Sequence, residues 1–312
     1  MVRRIPIVLD CDPGHDDAMA MILAAYNPAV ELLGISTVSG NGIIDKVTEN
    51  ALRVCALAKI NVPVAKGAGA SLLGAVEAST EIHGETALDG AALPNPTFEL
   101  EKISGVDLMA QIINKSEQKV TVVATGPLTN VALLLKMYPE LKSKIEQIVF
   151  MGGSATRGNR TPYAEFNIWM DPEACDVVLK SGLPLKMIGL DVTHQALITK
   201  DIFNRLADLN TSLANALSSL MKFFAKTYDE VFEMPDPPLH DPVAIAVLID
   251  PSITKNRFVN VEVELNGKFT RGATVVDIYN REERTPNCHV ALELDVEKFW
   301  KLMLEAVSKA SH

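Results

Sequence analysis

Up to residue 190 the chain alternates short β-branched runs with segments of helical period, and no other feature constrains its fold so tightly. Residues 5–9 read as a buried strand, and residues 18–26 then set Met19, Ile22, Leu23 and Tyr26 on one helical face. Residues 30–38 read as a second strand and 45–59 as a second helix, with Ala51, Val54, Cys55 and Ala58 aligned. Further strands are expected at 62–64, 120–125, 148–151 and 185–190, with helices at 108–113, 128–137 and 172–179. Such alternation builds right-handed βαβ units. The expected class is therefore α/β: a mainly parallel, Rossmann-like open central sheet with helices on both faces. After residue 191 helices dominate, from 201 to about 232 and from 242 to 249, and read as a helical cap. Strands at 258–265 and 274–279 read as a small antiparallel β appendage, before a last strand at 289–294 and helix at 296–310. No repeat, low-complexity tract or linker interrupts the pattern, so residues 1–312 are expected to form a single domain.

In open parallel sheets ligands bind beyond the carboxyl ends of the strands. Polar clusters stand there: Asp10 and Asp12 after the first strand, Ser39, Gly40 and Asn41 after the second, Thr125-Gly126 and Gly152-Gly153 after later ones. A formal charge of −10 argues against a nucleic-acid partner, which requires clustered Lys and Arg, and suits a small neutral or cationic ligand. The four cysteines show no CxxC or metal-ligand spacing and read as packed, reduced thiols. The opening MVRRIPIVLDCD has only a short apolar run, broken by Pro6. It matches neither a signal peptide nor a membrane-spanning helix, so no membrane partner and a cytoplasmic location are expected.

Asp10, Asp12, Asp16 and Asp17 crowd around a Pro13-Gly14 turn. Carboxylates this close repel one another unless a cation or a helix N-terminus compensates. Helix capping accounts for one or two of them, but not for Asp10 and Asp12 across the turn. The donors are all oxygen, and His15 has no evident companion His or Cys, so a hard cation, Ca²⁺ or Mg²⁺, fits better than zinc. A Mg²⁺-dependent phosphohydrolase with a strand-end aspartate is a competing reading, but it needs a second acidic pair, and no later Asp-Asp occurs. Downstream, His240 and Asp241 stand at the start of the 242–249 helix, where Asp241 could equally be a helix cap. Asn159, Glu165 and Asn167 form a polar loop suited to directional hydrogen bonds with a polyhydroxylated ligand. Asp171, before Pro172, reads as an N-cap.

Taken in order, LDCDPGHDDA, VSGN, IHGETALDG, ATGPLTNVA, MGG, GNRTPYAEFNIWMDPEA and LHDP resemble the nucleoside hydrolases over essentially the whole chain. The likeness is strongest to ribonucleoside hydrolases of pyrimidine-preferring or mixed specificity. It implies that Asp12, Asp17, Asp241 and the Thr125 main-chain carbonyl bind Ca²⁺, with ribose hydroxyls and a water completing the shell. It also implies that Asp16, Asn41, Asn159, Glu165 and Asn167 bind ribose, that Met151 lies against the sugar, and that Asp10 orients the loop. Asp12 would take a proton from the Ca²⁺-activated water, and the anionic cluster would stabilise an oxocarbenium-like transition state. His240 is then the candidate acid for the leaving base, with His83 a second candidate.

Ala87 stands where related sequences often carry Gly. Tyr228 is the candidate base-stacking residue, and Trp169 and Trp300 supply no tryptophan sandwich of the purine-specific kind. A small-molecule nucleoside substrate and a homotetramer or homodimer follow from the same resemblance. An inactive nucleoside-binding relative is the alternative outside enzymes, disfavoured because Asp12 and His240 are both present.

Overall fold

The computed structural model describes residues 4–74 and 81–311. Among the described residues, eight of ten strands form one sheet, built from β1 (Ile5–Cys11), β2 (Val30–Thr37), β3 (Val64–Lys66), β4 (Val120–Ala124), β5 (Ile145–Met151), β6 (Leu185–Ile188), β7 (Thr254–Val259) and β10 (Cys288–Leu294). Their order is β3-β2-β1-β4-β5-β6-β10-β7, and every pairing is parallel except that of β7 with β10. The expected α/β sheet is thus the observed one. The order reverses at β1, where the chain goes to β2 and β3 on one side and to β4 on the other. A crevice opens at such a reversal, beyond the strand ends.

Period-two alternation assigns β1 side chains to two apolar layers. Ile7, Leu9 and Cys11 join a core with Met19, Ile22 and Leu23 from the helix His15–Tyr26. Val8 joins the opposite layer with Met109 and Ile113 from the helix Gly105–Lys115. All four cysteines are free and buried, as expected of packed thiols.

Several expected boundaries differ, the strand expected at 62–64 being β3 at Val64–Lys66, and three of the differences bear on the site or the topology. The first helix starts at His15, not 18, so Asp16 and Asp17 sit in its first turn. The 201–232 helix is two helices, Lys200–Asp208 and Ser212–Phe232. Asn210 takes the left-handed conformation (φ 48°) between them, and the Thr211 side chain accepts from Ala214 N–H to start the second. The 258–265 strand is also two. Its first part belongs to β7 on the main sheet edge, and only β8 (Val261–Val263) pairs with β9 (Thr274–Val276) in the appendage. Asn287 explains the split: its amide accepts from Val261 N–H at 2.8 Å and donates to Val261 C=O at 2.9 Å, satisfying in side-chain form what a sheet neighbour would supply. Among the described residues no helix is long and apolar enough to cross a membrane.

Candidate active site

The end of β1 delivers its aspartates into the crevice, and donors from neighbouring loops fix them. Asp12 Oδ2 accepts from Asn41 N–H at 2.7 Å, and the Asp12 carbonyl accepts from Asn41 Nδ2 at 3.1 Å. Asp17 accepts from Gly14 N–H (3.0 Å), Thr125 Oγ1 (2.8 Å) and Asn41 Nδ2 (3.3 Å). Glycine is required at 40 and 126 because a Cβ there would stand 2.1 Å from Asp12 Oδ2 and 2.6 Å from Asp12 Oδ1 respectively. Asp10 lies deeper and accepts from Asn130 Nδ2 at 2.8 Å. Asn130 also donates to the Thr37 carbonyl and accepts from Ala68 N–H, tying the ends of β1, β2 and β3 together. Sequence reasoning missed Asn130, although it stands in the ATGPLTNVA motif.

Carboxylate oxygens of Asp16, Asp17 and Asp241 lie within 4.8 Å of one another. Asp241 stands at the N-cap position of the helix Pro242–Ile249 but makes no capping bond, so its carboxylate serves the cluster and not the helix. Asp10 Oδ2, Asp12 Oδ1 and Asp16 Oδ1 are buried without a hydrogen-bond partner among the described residues. None of the salt bridges among those residues reaches the five aspartates. Burial, then the neighbouring Asp17 charge, pushes Asp16 up to about 7 and holds Asp12 well above the usual carboxylate range. Burial and the charges of Asp16 and Asp17 do the same to Asp241. Orphaned anionic oxygens with no cationic side chain paired to them fit a hard divalent cation.

A cavity of ≈ 290 Å³ opens over the cluster. Asp16, Asn41, Thr125 and Asp241 line it, with Met151, Asn159, Glu165 and Asn167, and with His83, Tyr228 and His240 beside Ile82, Phe224 and Phe232. Of the residues singled out in the sequence for binding or chemistry, only Asp12 and Asp17 do not reach its wall.

The polar loop is held by its own side chains. Glu165 caps the helix Phe166–Met170, accepting from Gly153 (2.9 Å), Asn167 (2.9 Å) and Ile168 (3.2 Å) N–H groups. Burial nevertheless pushes it up to about 7. Asn167 Nδ2 donates to the carbonyls of Thr125 (2.8 Å) and Met151 (3.1 Å), and Asn159 Oδ1 accepts from Phe166 N–H. Asp171 accepts from Ala174 N–H as expected of an N-cap. The tryptophans stand outside the cavity: Trp169 lies under the Arg160 guanidinium and Trp300 packs on Phe299.

Both ring nitrogens of His240 are engaged, Nδ1 with Thr193 Oγ1 at 2.7 Å and Nε2 with the Tyr228 hydroxyl at 2.8 Å. The sequence singled out Tyr228 for its ring, and the fold also uses its hydroxyl. Burial holds His240 well below the usual imidazole range. His15, without an evident companion in the sequence, has one in the fold: its Nδ1 lies 3.0 Å from His83 Nδ1, and its Nε2 lies 2.7 Å from the Asp89 carbonyl. Burial pushes His15 down to about 4 and His83 well below the ordinary value. In the same loop Ala87 adopts φ 64°, a left-handed conformation that Gly would take without strain.

The family model for inosine-uridine preferring nucleoside hydrolases matches residues 7–301. The pyrimidine-specific ribonucleoside hydrolase RihA of Enterobacter sp. (strain 638) is 44% identical over 311 residues, covering 98% of this chain and 99% of its own. RihA of Shewanella oneidensis is 45% identical over 305 residues, covering 97% and 96%. Among solved structures, a purine-preferring ribonucleoside hydrolase from Gardnerella vaginalis superposes with a TM-score of 0.91 at 33% identity, over 98% of this chain and 99% of its own. A plant nucleoside hydrolase gives 0.90 at 28% identity over the same shares.

Proposed function

This chain belongs to the inosine-uridine preferring nucleoside hydrolase family and is a ribonucleoside hydrolase; on that premise we propose that it acts on pyrimidine ribonucleosides, with inosine a further substrate, and uses Ca²⁺. The two pyrimidine-specific relatives at 44% and 45% identity support the base preference. The observation that carries the chemistry is one cavity lined by Asp16 and Asp241, at the edge of a cluster of buried carboxylates, together with the hydrogen-bonded His240–Tyr228 pair.

Asp12, Asp17, Asp241 and the Thr125 carbonyl would hold the ion, with Asp16 close enough to share in it. Bound there, Ca²⁺ would anchor the ribose diol and lower the pKa of a water. Asp12 Oδ1, unpartnered and buried, takes the proton of the attacking water. Asp16 and Asn41 bind the ribose hydroxyls from below, while Asn159, Glu165 and Asn167 bind them from the opposite loop and Met151 packs against the ring. As the C–N bond breaks, positive charge grows on the ribose, and the buried anions beneath it stabilise that charge more than the ground state. The base accumulates negative charge on the other side. His240, neutral at rest, takes up a proton from solvent as that charge grows, and its Nε2 passes the proton to the Tyr228 oxygen as the Tyr228 hydroxyl gives its own to the base. His83 lies along the same wall, where it would contact the base. The proposal includes a single domain, a homodimer or homotetramer, and a cytoplasmic location.

Incubation with uridine, cytidine and inosine at saturating Ca²⁺ tests the reading through release of reducing sugar. Pyrimidine nucleosides are expected to turn over fastest. Faster turnover of inosine would overturn the base preference, and no sugar from any nucleoside would overturn the activity.

A further inference from the structure

His15 is a buried imidazole beside the cavity that the mechanism above leaves without a role. Its Nε2 faces the Asp89 carbonyl, which can only accept, so Nε2 carries a proton. A neutral His15 ring then presents a bare Nδ1, and that atom stands 3.0 Å from His83 Nδ1. Two bare nitrogens at that distance repel, so the His83 proton belongs on Nδ1. The His15 backbone N–H also points at His83 Nδ1, but at a longer 3.3 Å. That contact becomes the better bond only if His15 carries two protons, which burial among phenylalanine rings opposes.

The rings cannot readily turn. His15 stacks on His83 (5.2 Å between centroids, planes 22° apart), on Phe223 (5.6 Å, 9°) and on Phe224 (5.3 Å, 17°). His83 also stacks on Phe224 at 5.5 Å. The Asp89 carbonyl is fixed in turn, because Asp89 N–H donates to the His83 carbonyl and its carboxylate accepts from Glu85 N–H. With Nδ1 committed to His15, the nitrogen that His83 has left for the cavity it lines is Nε2.

We propose that His15 is a positioning residue that locks His83 in its Nδ1–H form, making His83 Nε2 a hydrogen-bond acceptor for an N–H or O–H donor of the bound nucleoside. The HDD and IHGE motifs then form one device, and the proton for the leaving base comes from the His240–Tyr228 side alone. This rests on the reading of the cavity as the nucleoside site.

Long-range ¹H–¹⁵N correlation spectra of the uniformly ¹⁵N-labelled full chain, with His83 signals assigned by their loss in His83→Gln, test the lock directly. Wild type is expected to show His83 protonated at Nδ1 and bare at Nε2, with His15 protonated at Nε2 only. A His83 Nε2–H form, or a doubly protonated His15, in wild type overturns the proposal even if both His15 variants fail to fold. His15→Phe keeps the stack and removes the acceptor; it should release His83 to the Nε2–H form and raise KM for uridine about tenfold. His15→Asn puts an amide oxygen at the same reach and should keep KM within about threefold of wild type. Unchanged tautomer and KM in His15→Phe overturn the positioning role. Absence of hydrolysis in wild type sinks the nucleoside reading but leaves the spectra to decide the lock.

Discussion

Asp12→Asn separates the chemistry of the cluster from its contribution to the fold. The substitution is close to isosteric, which matters because Gly40 and Gly126 leave no room for a larger group. The amide oxygen can keep the 2.7 Å bond from Asn41 N–H, and the amide nitrogen takes the place of the orphaned Oδ1. Position is therefore preserved while the base and one buried charge disappear. Loss of a positioned general base lowers turnover by about 10²–10⁴, or roughly 3–5 kcal/mol of barrier. KM for uridine should stay within about threefold at raised Ca²⁺, because the ribose contacts come from other side chains. Stability should move the other way. Burial and Asp17 hold the Asp12 carboxyl well above its ordinary range, so the stability its protonated form gives is lost as pH rises through that raised value. Removing it should stabilise the metal-free protein by about 1–3 kcal/mol at pH 8. Reducing-sugar release and urea unfolding in chelator measure the two effects. Wild-type turnover in the variant removes Asp12 from its role. Lost turnover together with lost stability would mean that the variant damages the fold, and the reasoning fails.

Tyr228→Phe keeps the packing on Phe224 and Phe232 but removes the bond to His240, and should lower kcat about tenfold with little change in KM. His240→Ala should slow substrates with poor leaving groups most; equal slowing of all nucleosides would make His240 a structural support. Gly126→Ala drives a methyl to 2.6 Å from Asp12 Oδ1 and should abolish most activity while the far-UV spectrum is retained, an unaffected rate refuting the close fit. Dialysis against chelator should abolish turnover and Ca²⁺ restore it; full activity after chelation contradicts the metal reading. Glu165 is raised from 4.5 to about 7, so the stability it gives below its unfolded value is lost as pH climbs through 7, on the order of 3 kcal/mol in all. The fall in urea-derived stability of the metal-free protein between pH 5 and 8 should be shallower in Glu165→Gln, and an identical slope refutes the assignment.

The strand–helix rhythm and the placing of aspartates at the end of β1 were legible because both depend on neighbours in the chain. Side chains alternate along a strand and recur each helical turn whatever the rest of the molecule does. Even the i, i+4 face shared by Phe224, Tyr228 and Phe232 can be read that way. What that face meets cannot. The Tyr228 hydroxyl reaches His240, and His15 finds His83, only because the docked helices and loops bring distant segments together. Asn130 spans three strand ends for the same reason, and β8 parts from β7 where the Asn287 amide completes Val261. The sequence by itself determined the layers, the sheet edge on which the cavity opens and a cluster of carboxylates suited to a hard cation. Tertiary packing alone decided that Asp241 joins Asp16 and Asp17 instead of capping its own helix, since a carboxylate's partner is set by three-dimensional distance and not by spacing along the chain.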